Sequence, residues 1–188
     1  STLLASSAAS DVYKRQGTIN KYVGFLTDIN EFELLDGVTE AIKMINESGY
    51  LAIVVTNQPV IARGEVSVEE LQEIHNKMET LLGQAGAYID DIFYCPHHPH
   101  KGYEGEVPEL KIDCDCRKPK PGMLYKAAKD FNIDLSKSYM VGDSESDIIA
   151  GKRCGIKTIA VNKELMGADF RCESLKEAAD KILEEEQK

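Results

Sequence analysis

The chain has 188 residues, 43% hydrophobic, 7% aromatic and 29% charged, which suits one soluble globular domain with a core of its own. A formal net charge of −10 sets its surface against nucleic acid and anionic membranes, and no apolar run reaches the length that crosses a bilayer. The cysteine count, five, is odd, and Cys114 and Cys116 stand one residue apart. That spacing reads as metal ligation rather than a disulfide framework and implies a reducing, cytoplasmic setting.

Residues 1–16, STLLASSAASDVYKRQ, differ in character from the rest of the chain. They lack the basic start and continuous apolar stretch of a signal peptide, and they show neither the alternation nor the β-branched run of a strand. DVYKRQ reads like translated adapter sequence, so residues 1–16 are taken as a non-native scar and residues 17–188 as a single domain.

Further on, strand and helix signals alternate. Val38, Ala41, Ile42 and Ile45 recur at helical spacing up to Gly49, and Tyr50–Thr56 is a continuous apolar run suited to a strand buried on both faces. Ser67 and Glu70 form a capping box for a helix running to about Leu82. Strands are expected at Ile89–Cys95, Tyr139–Asp143 and Ile156–Val161, and helices at Met123–Phe131, Asp147–Cys154 and Ser174–Glu185. Residues 95–121 form a long polar loop that holds five of the six prolines and His97, His98 and His100. Such alternation predicts a doubly wound α/β fold on a parallel sheet, with ligands bound beyond the carboxyl ends of the strands.

Polar residues gather at those ends: Thr56-Asn57-Gln58, Arg117-Lys118-Pro119 and Asp143-Ser144. Any one of them alone is an ordinary turn or surface residue. Together they offer a hydroxyl, an ammonium and a carboxylate, the groups that hold a phosphate and its Mg²⁺. A second set is Cys95-Pro96-His97 with Cys114-Asp115-Cys116. In extended backbone, residues i and i+2 face the same side, so each pair presents two ligands, and two pairs make a closed Cys₃His zinc site of structural type within loop 95–116. His98 and His100 compete for the fourth place, and the i+2 spacing favours His97. Cys154 and Cys172 are read as non-ligands, with Cys154 a small core residue within its helix.

The strings VVTNQ, IARG, IDDIFYCPHHP, CDCRKPKPGM and SYMVGDSESD, with GTIN upstream, resemble the D-glycero-D-manno-heptose 1,7-bisphosphate phosphatases of the haloacid dehalogenase superfamily, over roughly residues 17–162. The histidinol-phosphate phosphatases share a similar zinc loop, and CPHHP favours the heptose enzymes. The resemblance implies a Rossmannoid domain without a large cap, a monomer or a fusion behind a sugar nucleotidyltransferase, and Mg²⁺ and Zn²⁺ as cofactors. It also implies removal of the 7-phosphate of a heptose bisphosphate, for lipopolysaccharide or S-layer heptose synthesis. Thr56 and Lys118 would stabilise the phosphoryl group, Asp143 would ligate Mg²⁺, and Asn57, Gln58, Arg117 and Ser144 would line the substrate pocket.

The family carries DxDGT at the end of its first strand: a nucleophilic aspartate, then an acid/base aspartate two residues later. This chain has Lys14-Arg15-Gln16-Gly17-Thr18, so Lys14 and Gln16 hold the two aspartate positions. Lysine forms no acyl phosphate and glutamine exchanges no proton, so the chain as written is expected to be inactive. The alternative is a zinc-stabilised pseudoenzyme that binds sugar phosphates without hydrolysing them. The replaced first strand is expected to leave a central gap in the sheet or a poor substitute strand.

Overall fold

The apolar runs become the strands of a six-stranded sheet in the computed structural model, which describes residues 2–5, 17–21 and 26–186. The strands are β1 (Thr2–Ala5), β2 (Leu51–Asn57), β3 (Asp91–Cys95), β4 (Ser138–Gly142), β5 (Lys157–Val161) and β6 (Phe170–Cys172). All pairings are parallel, in the order β3-β2-β1-β4-β5-β6. The helices are α1 (Val38–Glu47), α2 (Pro59–Ala62), α3 (Val68–Gln84), α4 (Gly122–Asp130), α5 (Glu145–Arg153) and α6 (Leu175–Glu186).

A period of two along each strand divides the core into two layers. Ala52 and Val54, Tyr139 and Val141, and Ile159 and Val161 pack with α1, α3 and α6. The alternate residues Ile53, Val55 and Met140 pack with α4 and Ala150 of α5. Helices therefore cover both faces, as the alternating pattern predicted for a doubly wound fold. Ser67 and Glu70 form the expected capping box at the start of α3.

No gap is left at the first strand. Of the two expected outcomes the structure shows the substitute strand, a four-residue Thr2–Ala5 at the sheet centre between β2 and β4, in a segment whose pattern read as no strand. The physical reason is the slot itself. A central strand is paired along both edges through its backbone, which asks for neither alternation nor β-branching, and an empty slot would leave two rows of backbone donors and acceptors unpaired. The strand is short: Ala5 is level with Val54 and Val141, two residues before Thr56 and Asp143. Lys14 and Gln16 lie outside the described residues.

Three smaller differences concern local signals. Helix α2 and strand β6 are too short for periodicity to reveal. Helix α5 begins at Glu145 rather than Asp147, because Ser144 and Asp147 form a second capping box. Cys154 is the half-buried C-cap of α5 rather than a residue within it, and Cys172 is buried in the core on the other face.

Helix α3 also buries His75, edge-on to Tyr94 with ring centroids 5.8 Å apart. Burial holds its pKa down, from 6.5 to about 4. The unfolded chain takes up that proton first as pH falls, so stability is fully present above pH 6.5 and is lost progressively towards pH 4. Between pH 7 and pH 5 the loss from this group is at most about 2 kcal/mol. Urea unfolding at the two pH values should show His75→Leu losing less stability than the unmodified chain by about that amount; parallel losses would contradict it.

Candidate active site and metal cluster

The carboxyl ends of β1, β2 and β4 meet at one edge of the sheet, and the polar side chains expected there converge. Thr56 is fully buried at the end of β2, and Gln58 donates from Nε2 to its Oγ1 at 3.2 Å. Lys118, 4% exposed, reaches in from the returning loop. Its Nζ donates to Val55 O at 2.7 Å and pairs with Asp147 Oδ1 at 2.7 Å. Its backbone is fixed by Asn57, which accepts from Lys118 N and donates to Lys118 O, both at 3.0 Å. The Asn57 amide thus holds the lysine in place.

Asp143 follows β4 and is 4% exposed. Its Oδ1 accepts from Thr18 Oγ1 at 3.2 Å. Burial first, and then the neighbouring Asp147, push the Asp143 carboxyl above its ordinary value, while Lys163, Lys118 and Thr18 oppose them. A bound cation would offset both of the effects that raise it, so the buried Asp143 carboxylate beside Thr18 fits a hard divalent ion such as Mg²⁺. Gly142 makes this approach possible: a Cβ there would fall 2.4 Å from Asp147 Cβ.

Ser144, expected to touch substrate, caps α5. Its hydroxyl donates to Asp147 Oδ2 at 2.7 Å, and Asp147 N donates back at 3.3 Å. Arg117 is half-buried and donates from Nη1 to His97 O at 3.2 Å, at the foot of the loop. Two residues of this site were absent from the expected set. Thr18 is buried and bonded to Asp143, with Gly17 O held by Asn162 Nδ2 at 3.1 Å. Asp147 is 1% exposed and completes the ion pair. Its signal was the S-x-x-D capping pattern, which also places it four residues after Asp143.

The second constellation lies where the long loop leaves β3 and returns. One ligand atom from each of Cys95, His97, Cys114 and Cys116 comes within 4.8 Å of all the others. Cys116 Sγ lies 3.1 Å from Cys95 Sγ and 3.2 Å from Cys114 Sγ, and His97 Nδ1 lies 3.3 Å from Cys116 Sγ. A tetrahedron with ~2.3 Å arms has edges of about 3.8 Å, so the donors need open only slightly to take a zinc ion. Burial, first among several causes, pushes the Cys95 thiol up, so its thiolate form needs a cation beside it. His98 turns away, with Nε2 3.3 Å from Arg63 Nη2 and Nδ1 3.2 Å from His100 O. Cys154 and Cys172 lie outside the cluster.

Three comparisons bear on this arrangement. A family model described as HAD-hydrolase-like matches residues 115–184. The D-glycero-beta-D-manno-heptose-1,7-bisphosphate 7-phosphatase of Pasteurella multocida (strain Pm70) is 44% identical over 149 residues, 79% of this chain and 78% of that protein. The D-glycero-alpha-D-manno-heptose-1,7-bisphosphate 7-phosphatase of Photorhabdus laumondii is 45% identical over 142 residues, 76% of this chain and 75% of that one. Among solved structures, the D,D-heptose 1,7-bisphosphate phosphatase of B. bronchiseptica, complexed with magnesium and phosphate, superposes with a TM-score of 0.81 at 30% identity. That match covers 98% of this chain and 99% of the other. No helix among the described residues is long and apolar enough to cross a membrane.

Proposed function

The chain belongs to the D-glycero-D-manno-heptose 1,7-bisphosphate 7-phosphatase family of the haloacid dehalogenase superfamily, and on that premise we propose that its site binds the 7-phosphate of a heptose 1,7-bisphosphate but, as this chain stands, does not hydrolyse it. The observation that carries the reading is the buried set Thr56, Lys118, Asp143 and Asp147 at the sheet edge, assembled beside a central strand that brings no carboxylate. No aspartate or glutamate occurs before Asp11 in the sequence.

Each residue has a distinct task. The Thr56 hydroxyl and the Lys118 ammonium face phosphoryl oxygens and offset their charge. Asp147 and the Val55 carbonyl hold Lys118 charged and aimed. Asp143 and Thr18 hold Mg²⁺, which supplies electrostatic stabilisation of the phosphate when bound. Asn57 fixes the Lys118 backbone, Gln58 orients the Thr56 hydroxyl, and Arg117 stands at the loop foot on the sugar side. Cys95, His97, Cys114 and Cys116 hold a zinc ion that ties the loop to β3, away from the chemistry. Relatives bear names for both anomers, and these residues address the phosphate rather than the anomeric centre. A cytoplasmic biosynthetic setting fits the free cysteines and the negative charge.

Calorimetric titration with inorganic phosphate tests the reading. Binding is expected with Mg²⁺ and not without it. Thr56→Val and Lys118→Met are each expected to weaken it by roughly tenfold to a hundredfold, the value of a hydrogen bond to a charged group. Lys118→Met strands Asp147, so Thr56→Val is the safer variant for folding. Phosphate binding indifferent to Mg²⁺ and to both substitutions would move the site elsewhere.

A further inference from the structure

The peptide that precedes Thr18 is pinned from β5, a strand with no residue in the phosphate set. Strand β5 ends at Val161, and Asn162 turns the chain there. Its φ is +63°, in the left-handed region, where asparagine is among the few side chains tolerated. Its backbone N–H donates to Cys172 O at 3.1 Å, which moors the turn to the end of β6. Its side-chain amide serves a different segment: Nδ2 donates to Gly17 O at 3.1 Å, across 145 positions of chain. A turn alone does not ask for this residue, because glycine adopts a positive φ at no steric cost. The amide is what glycine would lack.

The carbonyl that Asn162 holds belongs to the peptide joining Gly17 to Thr18, and the Thr18 hydroxyl donates to Asp143 Oδ1 at 3.2 Å. The two anchors arrive from neighbouring strands. Gly142 of β4 pairs with Ala160 of β5, and Asp143 and Asn162 follow them by one and two residues. Gly17, Thr18 and Asp143 are all buried, so the hydroxyl sits where its backbone puts it. A short side chain has few rotamers with which to make up for a displaced main chain. We propose that Asn162 is a positioning residue of the metal site: by holding the Gly17 carbonyl it keeps Thr18 at hydrogen-bonding distance from Asp143, and so sets how much Mg²⁺ the site needs in order to bind phosphate. This rests on the proposed Mg²⁺-dependent binding of phosphate and deepens it. In this role Asn162 acts through Thr18 and touches neither the ion nor the phosphate.

The test is a double-mutant cycle on the full chain. Calorimetry follows inorganic phosphate binding over a series of Mg²⁺ concentrations for the unmodified protein, Asn162→Gly, Thr18→Val and the pair. Asn162→Gly keeps the turn and removes only the amide, since glycine suits a φ of +63°. Thr18→Val keeps the branched shape and removes the hydroxyl. Each single substitution is expected to raise the Mg²⁺ concentration for half-maximal binding by roughly threefold to tenfold, the range of one hydrogen bond. Phosphate affinity at saturating Mg²⁺ is expected to stay within about twofold. The pair is expected to be no worse than Thr18→Val alone, because nothing is then left to position. An unchanged Mg²⁺ requirement in Asn162→Gly would reduce Asn162 to a turn residue and overturn the proposal. Effects that multiply in the pair would detach it from Thr18 and overturn it equally. Failure of the unmodified chain to bind inorganic phosphate would instead remove the reading on which the proposal stands.

Discussion

Incubated with heptose 1,7-bisphosphate and Mg²⁺, the chain is expected to release no phosphate above background, and neither Lys14→Asp nor Gln16→Asp alone is expected to change that. The nucleophile of this reaction must attack phosphorus, and a second group must pass a proton to the leaving oxygen and later take one from water. On the proposed reading Thr56, Lys118 and Asp143 would do neither: they would stabilise charge on a transition state that another group has to create. The proton-transfer step alone is worth ~10²–10⁴-fold, and loss of the nucleophile removes the covalent path altogether. Asp11 does not substitute, because it stands three residues before position 14.

Repair is expected to need both positions. Gly17 and Thr18 already sit in the site, with Thr18 bonded to Asp143, so carboxylates at 14 and 16 would enter the chain directly ahead of a fixed point. Lys14→Asp alone lacks the acid/base and Gln16→Asp alone lacks the nucleophile. The double variant supplies both and should show turnover in a phosphate-release assay. Turnover by the unmodified chain close to that of an intact family member would mean that the nucleophile lies elsewhere.

What the sequence made legible divides along physical lines. Elements long enough to show a period, such as α1 and α3, were readable because burial of one face imposes that period. The continuous apolar run of β2 was readable because both of its faces are buried. Strand β1 was not, because what places TLLA is the unfilled slot between β2 and β4, a tertiary demand that leaves no local mark. The site obeyed the same division. Thr56, Lys118 and Asp143 stand directly beside strand ends or in a short motif, where chain order predicts convergence. Asp147 was hidden because its spacing from Ser144 reads equally as a helix cap, and it serves as both cap and ion-pair partner. Asn57 and Ser144 show the opposite: polar residues in the right neighbourhood whose side chains hold backbone in place. The contacts of Arg63 with His98 and Tyr103 join residues 35 and 40 positions apart, and no spacing rule announces them.

Metal analysis of the purified protein is expected to give about one zinc per chain, and Cys114→Ser or His97→Ser to abolish it, while His98→Ser retains it. The distinction between the two histidines rests on geometry. His97 Nδ1 lies 3.3 Å from Cys116 Sγ and 3.6 Å from Cys95 Sγ, whereas both ring nitrogens of His98 are engaged elsewhere. Removing the metal should also cost stability. Three thiols and an imidazole gathered within 4.8 Å have little reason to stay together without a cation, and they close a loop that has few apolar residues of its own. Structural zinc contributes ~10–16 kcal/mol of apparent binding free energy in small domains, and even a third of that would lower Tm by roughly 10 °C in a chain of this size. The loop should open before the sheet does, because the two core layers contain α1, α3 and α6 on one face and α4 and α5 on the other, and neither depends on residues 99–111. Chelation is therefore expected to expose the bond after Lys111, which is buried in the folded loop, to trypsin while far-ultraviolet circular dichroism changes little. A protein that contains no zinc, or a Cys114→Ser variant that keeps it, would remove the metal from this cluster and leave three free cysteines to be explained by packing alone.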